Sequence, residues 1–178
     1  MREQFLNFLI KKAEKDKNII LITGDLGYSI LEPFAKKYPD QFINVGCIEQ
    51  TMIGLACGLS KQGFKPYVYS GSTFLLFRPY EFVRNDVAYG NNNVKLIGYT
   101  GKKDNFLGHT HNIINQEDIN LLLSLPNINQ YIPENDEQLE EMLEEAYRNN
   151  KPAYIRLDKP KVYSKKEIQS LDRQANNM

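Results

Sequence analysis

Short apolar runs and amphipathic stripes take turns along this chain, and their order leaves little choice of architecture. Asn18 to Thr23 (Asn-Ile-Ile-Leu-Ile-Thr) is apolar on both parities, which predicts a strand covered on both sides. Comparable runs recur at Phe42 to Val45, Pro66 to Tyr69, Val94 to Tyr99, Ile128 to Ile132 and Pro152 to Leu157. Between them lie stretches with helical spacing. Phe5, Phe8, Leu9 and Ala13 share one face; Ile30 to Tyr38 reads as a short helix; Met52, Ile53, Ala56 and Leu59 form a stripe that ends at Gln62-Gly63. Phe74 to Tyr89 reads as one amphipathic helix, with Pro79 tolerable only near its first turns, and Ser70 to Thr73 as the turn before it. Glu117 to Ser124 is a further helix. Asn135 with Gln138 forms a capping box ahead of Leu139, Met142, Leu143 and Ala146. Six alternations predict an α/β fold: a single doubly wound, mainly parallel sheet of about six strands with helices on both faces.

The 178 residues suit one domain, assigned to residues 1–158, with residues 159–178 as a polar tail. Balanced charge, 22 basic against 22 acidic residues, argues against a nucleic-acid or anionic-membrane surface. Two cysteines without a spacing pattern, Cys47 read as part of a buried turn and Cys57 on a helix face, suit a reducing compartment. No secretion signal or membrane-length apolar run is visible, so a cytoplasmic protein is expected.

In a parallel sheet, ligands gather at the carboxyl ends of the strands. Glu49 stands there, just before the helix that follows Phe42 to Val45. An acidic residue in a first helical turn also has a simpler use, since it complements the macrodipole. Phe74, Phe77 and Tyr80 could face a ligand or could be ordinary helix core. Thr100 to Gln116, long, polar and carrying both histidines, His109 and His111, reads as a functional loop at the same edge. No ligand spacing resembles a zinc pattern, so no metal ligand is assigned.

With these segments in order, the chain resembles the pyrimidine-binding domain of transketolases and related thiamine-diphosphate enzymes. The resemblance rests on Asp25-Leu26-Gly27, Gly46 to Met52, Gly58 to Gly63, and Thr73 to Phe77 with Tyr80 and Arg84. It continues through Thr110-His111, Glu117-Asp118, Leu125-Pro126-Asn127 and Tyr154-Ile155-Arg156. It implies that Glu49 hydrogen-bonds N1′ of the cofactor's aminopyrimidine and so promotes loss of the thiazolium C2 proton. It further implies that Phe74, Phe77 and Tyr80 face that ring, and that Asp25 sits at a subunit contact near the cofactor. His111 would contact the hydroxyl and carbonyl end of a sugar, with His109 beside it. Ser29, Arg156 or Lys159 could bind a sugar phosphate, although Arg84 and Arg156 suit structural ion pairs better. A carboxyl in an apolar pocket would favour its neutral form, and the helix N-terminus opposes this.

Two departures matter. Leu26 stands where the family's Gly-Asp-Gly metal and diphosphate signature needs glycine, and Asn91 to Asn93 fall too late to complete it. The diphosphate and Mg²⁺ half is therefore expected from a partner subunit, in an α₂β₂ assembly, with self-association also expected. Leu107 replaces an aspartate that reads a donor hydroxyl in many transketolases, which changes sugar recognition. The resemblance thus implies one subunit of a two-chain enzyme transferring a ketol unit between sugars. The alternatives are a β-type subunit of a 2-oxo-acid decarboxylase or dehydrogenase, and a non-catalytic relative.

Overall fold

The computed structural model describes residues 1–100, 113 and 116–158. Six parallel strands form one sheet in the order β2-β1-β3-β4-β6-β5. They are β1 (Ile19–Thr23), β2 (Phe42–Asn44), β3 (Lys65–Gly71), β4 (Lys95–Thr100), β5 (Asn129–Tyr131) and β6 (Ala153–Asp158). All five residues of β1 are buried, as expected for a run apolar on both parities.

Alternation along each strand sends successive side chains to opposite faces and divides the core in two. On one face Ile19, Leu21, Tyr67, Tyr69, Ile97 and Ile155 pack against α1 (Arg2–Ala13), α2 (Glu32–Lys37) and α7 (Asp136–Arg148). On the other, Ile20, Ile22, Val68, Leu96 and Tyr154 meet α3 (Glu49–Lys61), α4 (Ser72–Leu76) and α6 (Glu117–Leu123). Asn135 caps α7, accepting from the Gln138 N–H at 2.9 Å, while the Gln138 side chain accepts from the N–H of Glu134, one residue before the cap, rather than from that of Asn135. Gly63 closes α3 at φ +89°.

Two expectations need correction. Ser70 and Gly71 continue β3, and Ser72 and Thr73 already belong to α4, so no polar turn separates strand from helix. Nor is Phe74 to Tyr89 one helix. After α4, Pro79 leads a single turn, α5 (Tyr80–Phe82), and the chain then widens into a π-helical stretch over Val83–Tyr89. Pro79 is the cause, since it has no N–H to donate and clashes with the preceding turn. The short helix after β1 likewise begins at Glu32 rather than Ile30, and a 3₁₀ turn, Pro39–Gln41, completes it. No helix among the described residues is long and apolar enough to cross a membrane.

At the amino end of the sheet Lys95 is 1 % exposed. Its ammonium donates to Asn149 Oδ1 at 3.3 Å and to the Lys151 carbonyl, both of them neutral acceptors. Burial, reinforced by the charge of Lys65, brings its pKa from 10.5 down to about 7. Between those values the unfolded chain binds more protons than the folded one, so this residue's contribution to stability rises with pH. Lys95→Met should erase that rise. The stability of wild type relative to the variant should climb by on the order of 3 kcal/mol between about pH 6.5 and 9.5, as read by urea denaturation.

Candidate functional site

Strand register sets where the turns begin. Thr23 lies opposite both Asn44 and Tyr69, so β1 and β2 end at one level, while β3 runs two residues further to Gly71, opposite Tyr99. The Asn44 side-chain oxygen accepts from the N–H groups of Asp25 and Gly46, each at 3.0 Å, and ties the first two turns together. Gly24 permits this approach, because a Cβ there would stand 3.0 Å from the Gly46 carbonyl oxygen. Thr23 braces the third strand: its hydroxyl lies 2.8 Å from the Leu26 carbonyl and 3.2 Å from that of Tyr69, and donates to one at a time.

Asp25 and Ser29 sit on the turn after β1, both exposed and both left-handed, at φ 59° and 63°. The Tyr28 hydroxyl donates to Asp25 at 2.7 Å, and this bond raises the tyrosine's pKa. The Ser29 N–H donates to Glu32 at 2.8 Å and, as the largest cause, lowers that carboxyl's pKa. Cys47 is exposed, not buried as expected, because the turn after β2 points its residues outward before α3 begins.

Glu49 is the first residue of α3, and its side chain is 7 % exposed. Arg78 Nη1 donates to Glu49 Oε1 at 2.7 Å, and the guanidinium carbon stands 4.2 Å from the Phe74 ring centroid. The expected apolar pocket is thus closed by a cation that sequence reasoning missed. A signal was there: Arg78 is the only basic residue between Ser72 and Phe82 and lies four positions after Phe74, the spacing at which helical side chains meet. Phe74 is half-buried, Phe77 is 38 % exposed, and Tyr80 opens α5 beyond the Pro79 break. Phe74 therefore lies on α4, Phe77 just past its end and Tyr80 on α5, rather than on one helical stripe. What the corner offers is a buried carboxylate and an aromatic face, gripping a flat nitrogen-bearing group by its edge and its plane.

Beside it runs a buried polar chain. Asp118, fully buried in the first turn of α6, accepts from the Tyr154 hydroxyl at 2.7 Å and from Arg156 at 3.4 Å. The Tyr154 oxygen also lies 2.9 Å from the Ser72 hydroxyl. Burial, then the charge of Asp118, raises the Tyr154 pKa well above its ordinary value. Gly98 leaves the necessary room, since a Cβ there would come within 2.6 Å of Ser72 Oγ and 2.7 Å of the Tyr154 ring. Arg156 thus sits in a structural ion pair, while Arg84 donates to Asn85 and lies over the Tyr89 ring. The Thr100 hydroxyl oxygen accepts from the Ile113 N–H at 3.2 Å. His109, His111, Leu107 and Lys159 lie outside the described residues, as does the tail over residues 159–178. Among the described residues no group of three His, Cys, Asp or Glu is placed to hold a metal.

Comparison with known proteins gives this geometry a context. The family profile described as "Transketolase, pyrimidine binding domain" matches residues 1–165. An apulose-4-phosphate transketolase subunit of Phocaeicola vulgatus is 32 % identical, over 99 % of this chain and 58 % of its own length. The 6-deoxy-6-sulfo-D-fructose transketolase subunit SqwH of Clostridium sp. (strain MSTE9) is 31 % identical, over 88 % of this chain and 49 % of its own. Among solved structures, a split gene transketolase described as an inactive beta4 tetramer superimposes with a TM-score of 0.78 at 31 % identity, covering 92 % of this chain and 54 % of that one. The chain therefore spans about half the length of the relatives it matches.

Removing the carboxylate at the centre of the buried polar chain should be costly. Asp118→Ala leaves the Tyr154 hydroxyl and the Arg156 guanidinium without their shared acceptor. A loss of about 2–4 kcal/mol is expected in chemical denaturation, with Asp118→Asn losing less because its amide oxygen still accepts.

Proposed function

This chain belongs to the transketolase pyrimidine-binding domain family, and on that premise we propose that it is one subunit of a two-chain, thiamine-diphosphate-dependent transketolase-like enzyme that moves a ketol unit between sugars. The observation that carries this reading is the Glu49 corner: a buried carboxylate at a helix N-terminus, opposite the Phe74 ring, already holding a flat nitrogen-bearing group. An aminopyrimidine is likewise flat, and its N1′ can share a proton with a carboxyl group, so the residues present fit it. When bound, thiamine diphosphate supplies the nucleophilic carbon that accepts a ketol unit from one sugar and passes it to another.

The chain's own part is to orient and to hold a proton. Glu49 binds the ring edge and shares a proton with N1′, in a site where low solvent access makes that exchange effective. Phe74 packs against the ring face, worth about 0.5–1.5 kcal/mol beyond the area buried, and keeps water out. Phe77 and Tyr80 extend that cover from the next turn. Asp25, on the exposed turn after β1, stands at the subunit contact. His111 meets the hydroxyl and carbonyl end of the sugar with His109 beside it, and Ser29 binds a sugar phosphate. The partner subunit carries the diphosphate and Mg²⁺ half, and the two chains assemble as α₂β₂ in the cytoplasm. Two of the similar proteins are themselves named as transketolase subunits, which supports a shared site, and so does the description of the similar beta4 tetramer as inactive.

The test is to co-express the chain with the subunit bearing the diphosphate half, add thiamine diphosphate and Mg²⁺, and follow a ketose with an aldose. Glu49→Ala should lower turnover by about 10²–10⁴-fold while leaving the circular dichroism spectrum and subunit assembly intact. Full turnover in that variant, or consumption of a 2-oxo acid in place of the ketose, would overturn the reading.

A further inference from the structure

The contacts that hold Arg78 are the ones a flat heterocycle would need. Its guanidinium is planar with nitrogen along its edge, stands 4.2 Å from the Phe74 ring centroid, and donates to Glu49 at 2.7 Å. A ring stacked on this face of Phe74 and bonded to this oxygen of Glu49 would overlap it. We propose that Arg78 is an internal occupant of the aminopyrimidine berth, holding it filled until the cofactor displaces the side chain. The inference rests on the assignment of Glu49 and Phe74 made above.

Three features support a displaceable occupant over a fixed brace. Glu49 is buried at 7 % exposure, whereas the Arg78 side chain is half exposed, so the arginine reaches in from solvent and can return there without opening the core. Arg78 also lies between α4 and α5, outside regular helix, and Pro79 after it keeps the two from fusing around it. The residue type suits the task as well. A guanidinium stacks on an aromatic face and meets a carboxylate in plane, which an ammonium cannot do. While the cofactor is away, the device spares Glu49 the cost of a buried charge without a partner. Its consequence is that apparent affinity falls by the fraction of molecules whose berth is open.

The full chain is titrated with the free aminopyrimidine half of thiamine, at millimolar probe, by ligand-observed NMR. Arg78→Ala should bind the probe at least about tenfold more tightly than wild type. Arg78→Lys, which keeps the charge and loses the plane, should gain part of that; it carries the comparison should the alanine variant fail to fold. Glu49→Gln should weaken binding in both backgrounds. In wild type, the Arg78 side-chain N–H resonances should move to free-arginine positions as the probe binds. If Arg78→Ala binds no better than wild type while Glu49→Gln still weakens binding, the occupant proposal fails and the cofactor assignment survives. Absence of binding in every variant overturns both.

Discussion

Strand β1 is buried on both faces and pairs in parallel with β2 on one side and β3 on the other. Parallel pairing forces every strand to end at the same edge, and β1 lies at the point where the chain's path across the sheet reverses. The turns after β1 and β2 therefore start side by side, close enough for one Asn44 oxygen to bond both. β3 runs two residues further and passes directly into α4, so that Phe74 on α4 and Arg78 just beyond it come over Glu49. Without that central pairing the carboxylate and the aromatic ring would have no reason to meet.

At the corner itself, opposing terms leave Glu49 dependent on whatever stands in front of it. Placement at a helix N-terminus favours the carboxylate by about 0.3–1 kcal/mol, while shutting an ionised group away from water costs several kcal/mol. A charge-assisted hydrogen bond contributes about 1.5–3 kcal/mol. The helix alone cannot offset the burial, so the carboxylate needs a polar partner within reach. Arg78 supplies it, at 2.7 Å.

Much of the fold was legible because it rests on local periodicity. The two-sided apolar run of β1, the α1 and α7 stripes and the Asn135 cap each report an environment that neighbouring residues share. The errors fell where a residue's setting depends on distant parts. Pro79 is locally compatible with the first turns of one helix, so the pattern over Phe74 to Tyr89 did not reveal that the chain breaks there and resumes as one turn and then a π-helical stretch. Cys47 looked buried beside apolar neighbours, yet the direction of its turn is set by Asn44 and Gly24 holding the next loop. Nothing local marks Lys95 for burial; its acceptors, Asn149 and Lys151, lie in the connection between α7 and β6.

By itself the sequence determined the order of elements, the parallel sheet and the placing of Glu49 at a strand-to-helix turn, because each is written in the spacing of apolar residues within a single segment. Tertiary structure alone decided that Arg78 meets Glu49 across twenty-nine positions of chain, and that Asp118, Tyr154 and Ser72 join from α6, β6 and α4. Such contacts depend on register and on the level at which each strand stops, and no local pattern encodes where a separate strand will end.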